Sequence, residues 1–167
     1  MRKSSIIHNN EKNRLEKSAL EYFLSFYKKI SGEPNKGEKP DYTIKDKKTN
    51  SLYGIEIAHL FDGENGAKVS LGKETMYEGT TEDLINIHLN TLLSRKLTEV
   101  RNYKKTDKMV LVIRVGDQIT EKEDIERLLG LVKLPDNQFD EIWLLIYNWQ
   151  TEEWSDRIAL KTEIKQN

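Results

Sequence analysis

Apolar residues between positions 10 and 30 recur every three or four residues. Leu15, Ala19, Tyr22, Phe23, Phe26, Tyr27 and Ile30 fall in one broad sector at about 100° per residue, which predicts an amphipathic helix with Asn10 as its N-cap. Positions 31–39 hold two glycines, a proline and an asparagine and predict a loop. The period then shifts to that of extended chain. Residues 41–46 and 52–60 read as two strands joined by the polar turn at 47–51, an antiparallel hairpin. Positions 61–80, with Gly63, Gly66, Gly72 and Gly79 and little periodicity, predict a long surface loop. From Thr81 to about Lys105 the helical period returns in Ile85, Leu89, Leu92, Leu93, Leu97, Val100 and Tyr103. Residues 109–115 form a near-continuous, largely β-branched run, as expected of a strand buried on both faces. A short helix at 121–129, a dense strand at 141–148 and an edge strand at 157–161 complete the pattern. Strands interleaved with helices predict an α/β (α+β) domain of three layers, a central mixed sheet flanked by helices.

Composition narrows the chemistry. The 167 residues suit a single domain, 1–167, with its core at about 10–148. The absence of cysteine excludes disulfides, thiolate zinc sites and cysteine nucleophiles. No apolar run approaches the about 18 residues a membrane span requires, and no signal-peptide core follows the basic start, so a cytoplasmic protein without membrane partners is expected. Net charge is −1, yet residues 1–48 carry +5 and residues 117–156 carry −8, leaving room for a local basic face.

The hairpin carries the most informative residues. Asp41 opens its first strand after Pro40, and Glu56 interrupts the apolar run of the second between Ile55 and Ile57. A carboxylate in such a run needs a partner. Paired strands lie about 5 Å apart, so in suitable register the two acids share one divalent cation, and oxygen ligands favour Mg²⁺ or Mn²⁺.

Pro40-Asp41 and Glu56-Ile57-Ala58, separated by residues 42–55, resemble the PD-(D/E)XK nuclease superfamily with its restriction-endonuclease-like fold. Ala58 stands where that family carries a lysine. Around the long helix, Lys96 falls at about 20° from Ile85, inside the apolar sector, whereas Arg95 falls at about 280°, outside it. Residues 56 and 58 share a strand face, so an ammonium arriving from the helix fits the space beside the small Ala58. Lys96 followed by Tyr103 resembles the family variant whose lysine has moved to this helix. Glu16 lies between Phe23 and Tyr27 on the buried side of the first helix and matches the acid that the family often supplies from there.

The resemblance implies a metal-dependent nuclease. Asp41, Glu56 and Glu16 would hold Mg²⁺ or Mn²⁺ with the Ile57 carbonyl, Lys96 would position water, and Lys36, Lys39, Arg95, Arg101 and Lys104 would contact nucleic-acid phosphates. DNA is the expected substrate and a homodimer the expected assembly, both by analogy. Two alternatives stay open: an inactive member of the same fold that binds nucleic acid or protein, and an unrelated α/β interaction domain in which Glu56 and Lys96 form only a buried ion pair. His59, by alternation, points away from Glu56 and reads as a packed or hydrogen-bonded histidine, and no histidine pair has zinc-ligand spacing. Pro135-Asp136 imitates the motif, but three residues before Asp140 are too few for two strands and a turn. No glycine pattern forms a phosphate-binding loop.

Overall fold

In the computed structural model, which describes residues 2–61, 79–116, 121–134, 136, 138–148 and 150–162, six strands lie side by side in chain order. They are β1 (Pro34–Lys36), β2 (Tyr42–Lys45), β3 (Leu52–Leu60), β4 (Lys108–Val115), β5 (Glu141–Asn148) and β6 (Glu153–Lys161). β3, β4 and β5 run parallel, and the outer pairings are antiparallel. The parallel connections pass through helices: α2 (81–102) joins β3 to β4, and α3 (Lys122–Leu128) joins β4 to β5. α2 is a composite, α-helical over Thr81–Asp83, π-helical over Leu84–Leu89, α-helical over Asn90–Glu99 and ending in a 3₁₀ turn over Val100–Asn102. Its first turn is capped by the Thr80 hydroxyl, which accepts from the Asp83 amide at 3.1 Å.

Period-two alternation divides the core by sheet face. Ala58, Leu60, Leu111, Ile113, Leu144 and Ile146 form one cluster with Ile85, Leu89, Leu92 and Leu93 of α2 and Ile125 of α3. Ile55, Ile57, Val110, Val112 and Leu145 point the other way, to Ala19, Leu20 and Phe23 of α1 (Arg2–Phe26). The result is a mixed α/β architecture of three layers, with α1 on one face of the sheet and α2 and α3 on the other. β4 is buried from Met109 to Val115, including Arg114, the one charged residue of that otherwise apolar stretch.

Several boundaries differ from the sequence expectation, among them that of β2, which begins at Tyr42, so Asp41 precedes the strand rather than opening it. α1 begins well before Asn10, so that residue lies inside the helix rather than capping it, and the helix stops at Phe26. The expected loop at 31–39 contains the short strand β1, whose three residues are exposed and give no alternation to read. Regular helix ends at Asn102, before Lys105. β6 starts at Glu153, four residues earlier than the apolar stretch indicates, because its first half alternates around a half-buried Trp154 that stacks on Tyr22 at 5.2 Å. Most of the expected loop at 61–80 lies outside the described residues.

The end of α1 is fixed to the sheet by one buried acid. Glu141, at the start of β5, accepts from the Tyr27 hydroxyl at 2.9 Å, the Lys29 ammonium at 2.5 Å and the Trp143 indole at 2.9 Å. Among the described residues no helix is long and apolar enough to cross a membrane.

Candidate active site

The site forms where β2 ends and β3 continues. Tyr42 pairs with Ile55, so the chain before Tyr42 leaves the ladder opposite Glu56. Pro40 packs over the strand at Gly54, where an added Cβ would lie 3.0 Å from the proline Cγ and 2.9 Å from the Met109 sulfur. Only glycine leaves room for that approach. Asp41 then takes the place of the missing ladder partner: its Oδ2 accepts the Ile57 N–H at 2.8 Å, while its own N–H donates to Glu56 Oε2 at 3.3 Å. Amide and carbonyl of one strand residue point to the same side, so the Ile57 carbonyl also faces this edge.

On the α2 side, Glu56 is 5% exposed. Its Oε1 accepts from Lys96 Nζ at 2.7 Å and from the Tyr103 hydroxyl at 2.7 Å. Lys96 gives a further hydrogen bond to Glu99 Oε2 at 3.1 Å. The helical-wheel placement of Lys96 toward the sheet is therefore what the structure shows, and Ala58, on the same strand face, is buried in that layer. Burial opposes the charge on Lys96, but the bonds and charges of Glu56 and Glu99 outweigh it and hold the ammonium above its ordinary range. Burial and the neighbouring Glu56 push the Tyr103 phenol up, so it stays a donor.

On the α1 side stands a second lysine–glutamate pair. Glu16 is 2% exposed and bonded to Lys36 Nζ at 2.7 Å, with Lys12 at 3.4 Å from its other oxygen. Lys36 comes from β1 and also lies 4.6 Å from the Tyr42 ring centroid. Asp41 sits between the two pairs. Burial first, then the charges of Glu56 and of Glu16, push its carboxyl up to about 6, against the pull of the Ile57 amide and Lys36.

The arrangement brings together Asp41, Glu56, Lys96 and the Ile57 amide, with Glu16 in electrostatic reach of Asp41. Among the described residues no three acids or histidines stand close enough to hold a metal ion by themselves. Glu56 and Glu16 each turn to a lysine instead. Mg²⁺, however, is commonly held by one or two carboxylates and keeps several waters, and Asp41, Glu56 and the Ile57 carbonyl supply such oxygens at one edge.

The basic residues divide. The Lys104 N–H donates to the Lys39 carbonyl at 3.0 Å, which joins the Asp41 loop to the end of α2, and Arg101 and Lys104 border one cavity there. Arg95 lies apart, exposed, 3.6 Å from Glu99 and lining a smaller cavity with Thr91 and Leu92. His59 is packed rather than hydrogen-bonded: among the described residues neither of its buried ring nitrogens has a partner, and burial, then Arg114, lowers its pKa to about 3. The imitation motif is structural, since Asp140 Oδ2 accepts the Met109 N–H at 2.7 Å and Glu141 anchors the end of α1.

Sequence reasoning placed Lys36 only among phosphate contacts and gave no role to Glu99. The first follows from a three-residue edge strand too short to carry a pattern. The second was legible in principle, since Lys96 and Glu99 are three apart on one helix. No family model matches the chain, and neither curated proteins nor solved structures include a significant match.

Proposed function

We propose that the chain is a metal-dependent phosphodiesterase of restriction-endonuclease-like type that hydrolyses nucleic acid, with DNA as the first substrate to test. The observation that carries this reading is Asp41 opposite Glu56 at an open strand edge, two acids whose mutual repulsion a cation relieves. Asp41, Glu56 and the Ile57 carbonyl would hold Mg²⁺ or Mn²⁺, with Glu16 as an outer acid. A divalent cation there would neutralise charge on the scissile phosphate and acidify the attacking water.

The chain's own residues do the rest. Lys96 and Tyr103 fix the Glu56 carboxylate from one side, so that its Oε2 stays turned to Asp41. Lys36, half-exposed and paired with Glu16, offers its remaining N–H groups to solvent, where a phosphate would arrive. Lys39, Arg101 and Lys104 steer the backbone of the substrate, with Arg95 as a more distant contact.

The full satisfaction of Glu56 by Lys96, Tyr103 and the Asp41 amide also favours a second reading, an inactive domain of the same architecture that keeps the ion pair for stability. Incubation with plasmid DNA, single-stranded DNA and RNA in Mg²⁺, Mn²⁺ or EDTA separates the two. Metal-dependent cleavage that disappears in Asp41→Asn supports the phosphodiesterase. Absence of cleavage on all three substrates supports the inactive domain.

A further inference from the structure

Tyr103 connects the acids to a second feature. Its hydroxyl is bonded to Glu56, and the same residue lines a cavity of about 370 Å³ between the end of α2, the start of β4 and the segment leading into β5. The lining is amphipathic. Val100, Tyr103 and Met109, each at most 7% exposed, form a narrow apolar floor, while Arg101, Lys104 and Lys105 are exposed and, among the described residues, engaged in no ion pair. Two acids also border the space, but both are committed to backbone amides: Asp107 Oδ2 accepts from Leu52 at 2.7 Å and Asp140 Oδ2 from Met109 at 2.7 Å. They brace the walls against β3 and β4. The exposed Gln138 adds an amide able to donate and accept at once.

A ligand that fits this lining has a flat, weakly polar body with a hydrogen-bonding edge and an anionic group at one end. We propose that the cavity receives one unstacked nucleotide of a single-stranded nucleic acid, its base against Tyr103, Val100 and Met109 and its phosphate toward Arg101, Lys104 and Lys105. A base inside a duplex is stacked and paired on both sides and does not enter such a space without being extruded, whereas a single strand presents its bases freely. Contact with an apolar floor tolerates any base, and Gln138 would then bias the choice. The link through Tyr103 and through the Lys104–Lys39 hydrogen bond sets this nucleotide next to the one at Asp41 and Glu56. The assignment deepens the phosphodiesterase reading and rests on it only for where cleavage would fall.

The test is fluorescence anisotropy in EDTA with a labelled oligonucleotide of about 12 nucleotides, single-stranded and as a duplex, a length suited to single-strand binding modules. The expected result is single-strand binding at least about tenfold tighter than duplex binding, and a loss of at least about tenfold in Lys104→Glu/Lys105→Glu. Gln138→Leu removes the hydrogen-bonding amide without adding charge or a stacking face and should weaken single-strand binding while leaving thermal stability unaltered. Equal binding of duplex, or full binding by Gln138→Leu, overturns the proposal. Because EDTA removes catalysis from the measurement, metal-dependent cleavage without cavity-dependent binding overturns this inference alone. Cavity-dependent binding without any cleavage overturns the phosphodiesterase alone.

Discussion

Lys96 reaches across from α2 to place its ammonium 2.7 Å from Glu56 Oε1, in the layer where Ala58 leaves space on the same strand face. The side chains are 12% and 6% exposed, so the pair is largely withdrawn from water. Breaking such a pair leaves one charge uncompensated, typically at about 3 kcal/mol or more. Lys96→Met should therefore lower stability by about that amount in EDTA. If Glu56 also belongs to a cation site, Mg²⁺ should raise the melting temperature of Lys96→Met by more than that of the wild type, because the cation then takes over the missing counter-charge. Thermal unfolding with and without Mg²⁺ reads both effects.

Asp41 gives the opposite sign. Its carboxyl titrates near 6 in the folded chain because burial, Glu56 and Glu16 all oppose its charge. A raised folded pKa means that the folded state keeps the proton while the unfolded state has lost it, so stability falls as pH rises from about 4 to about 6 and stays reduced above. Asp41→Asn removes that loss and can still accept the Ile57 N–H. In EDTA the variant should melt higher than wild type by a few degrees, of order 2–4 °C, at pH 7.5. The two curves should converge below about pH 4. Thermal melts across pH check the convergence.

Much of this was legible before the structure. Glu56 stands out because a charge interrupts an apolar strand, and Lys96 because a cation falls in the apolar sector of a helix; both anomalies are local. The missed strand β1 has a different cause. β1 is exposed at all three positions and is specified by its pairing to β2, which no local pattern records. Glu16 read as buried from its helical angle, but its pairing with Lys36 depends on that same unreadable strand.

Lys36 should matter to chemistry more than to folding. Its side chain is 46% exposed, and Glu16 keeps Lys12 nearby when Lys36 is removed. The pair is not a surface one, because Glu16 is buried, so the variant that spares the fold is Lys36→Gln, which can still donate to Glu16. Lys36→Gln should melt within about 3 °C of wild type and cleave at least about tenfold more slowly, the lower bound of a lost charge-assisted contact to phosphate. Single-turnover cleavage beside a thermal melt separates the two roles.

His59 makes a prediction at acid pH. A histidine held neutral down to about 3 contributes stability that is fully present above its unfolded pKa of about 6.5 and is lost as pH falls toward 3, by up to about 1.4 kcal/mol per pH unit. His59→Leu should flatten the decline of stability between pH 6 and pH 4, since neither ring nitrogen has a hydrogen bond to lose. Denaturant titrations at both pH values measure the difference.

The central claim is that Asp41 and Glu56 together form a cation site, and isothermal titration of Mn²⁺ into metal-free protein at pH 7.5 tests it most directly. The account predicts one site in the wild type, lost in Asp41→Asn and in Glu56→Gln, while Glu141→Gln, whose acid is bonded to Tyr27, Lys29 and Trp143, retains it. Absence of Mn²⁺ binding by the folded wild type, or binding that survives both substitutions, would contradict it and leave Glu56 and Lys96 as an ion pair that serves the fold alone.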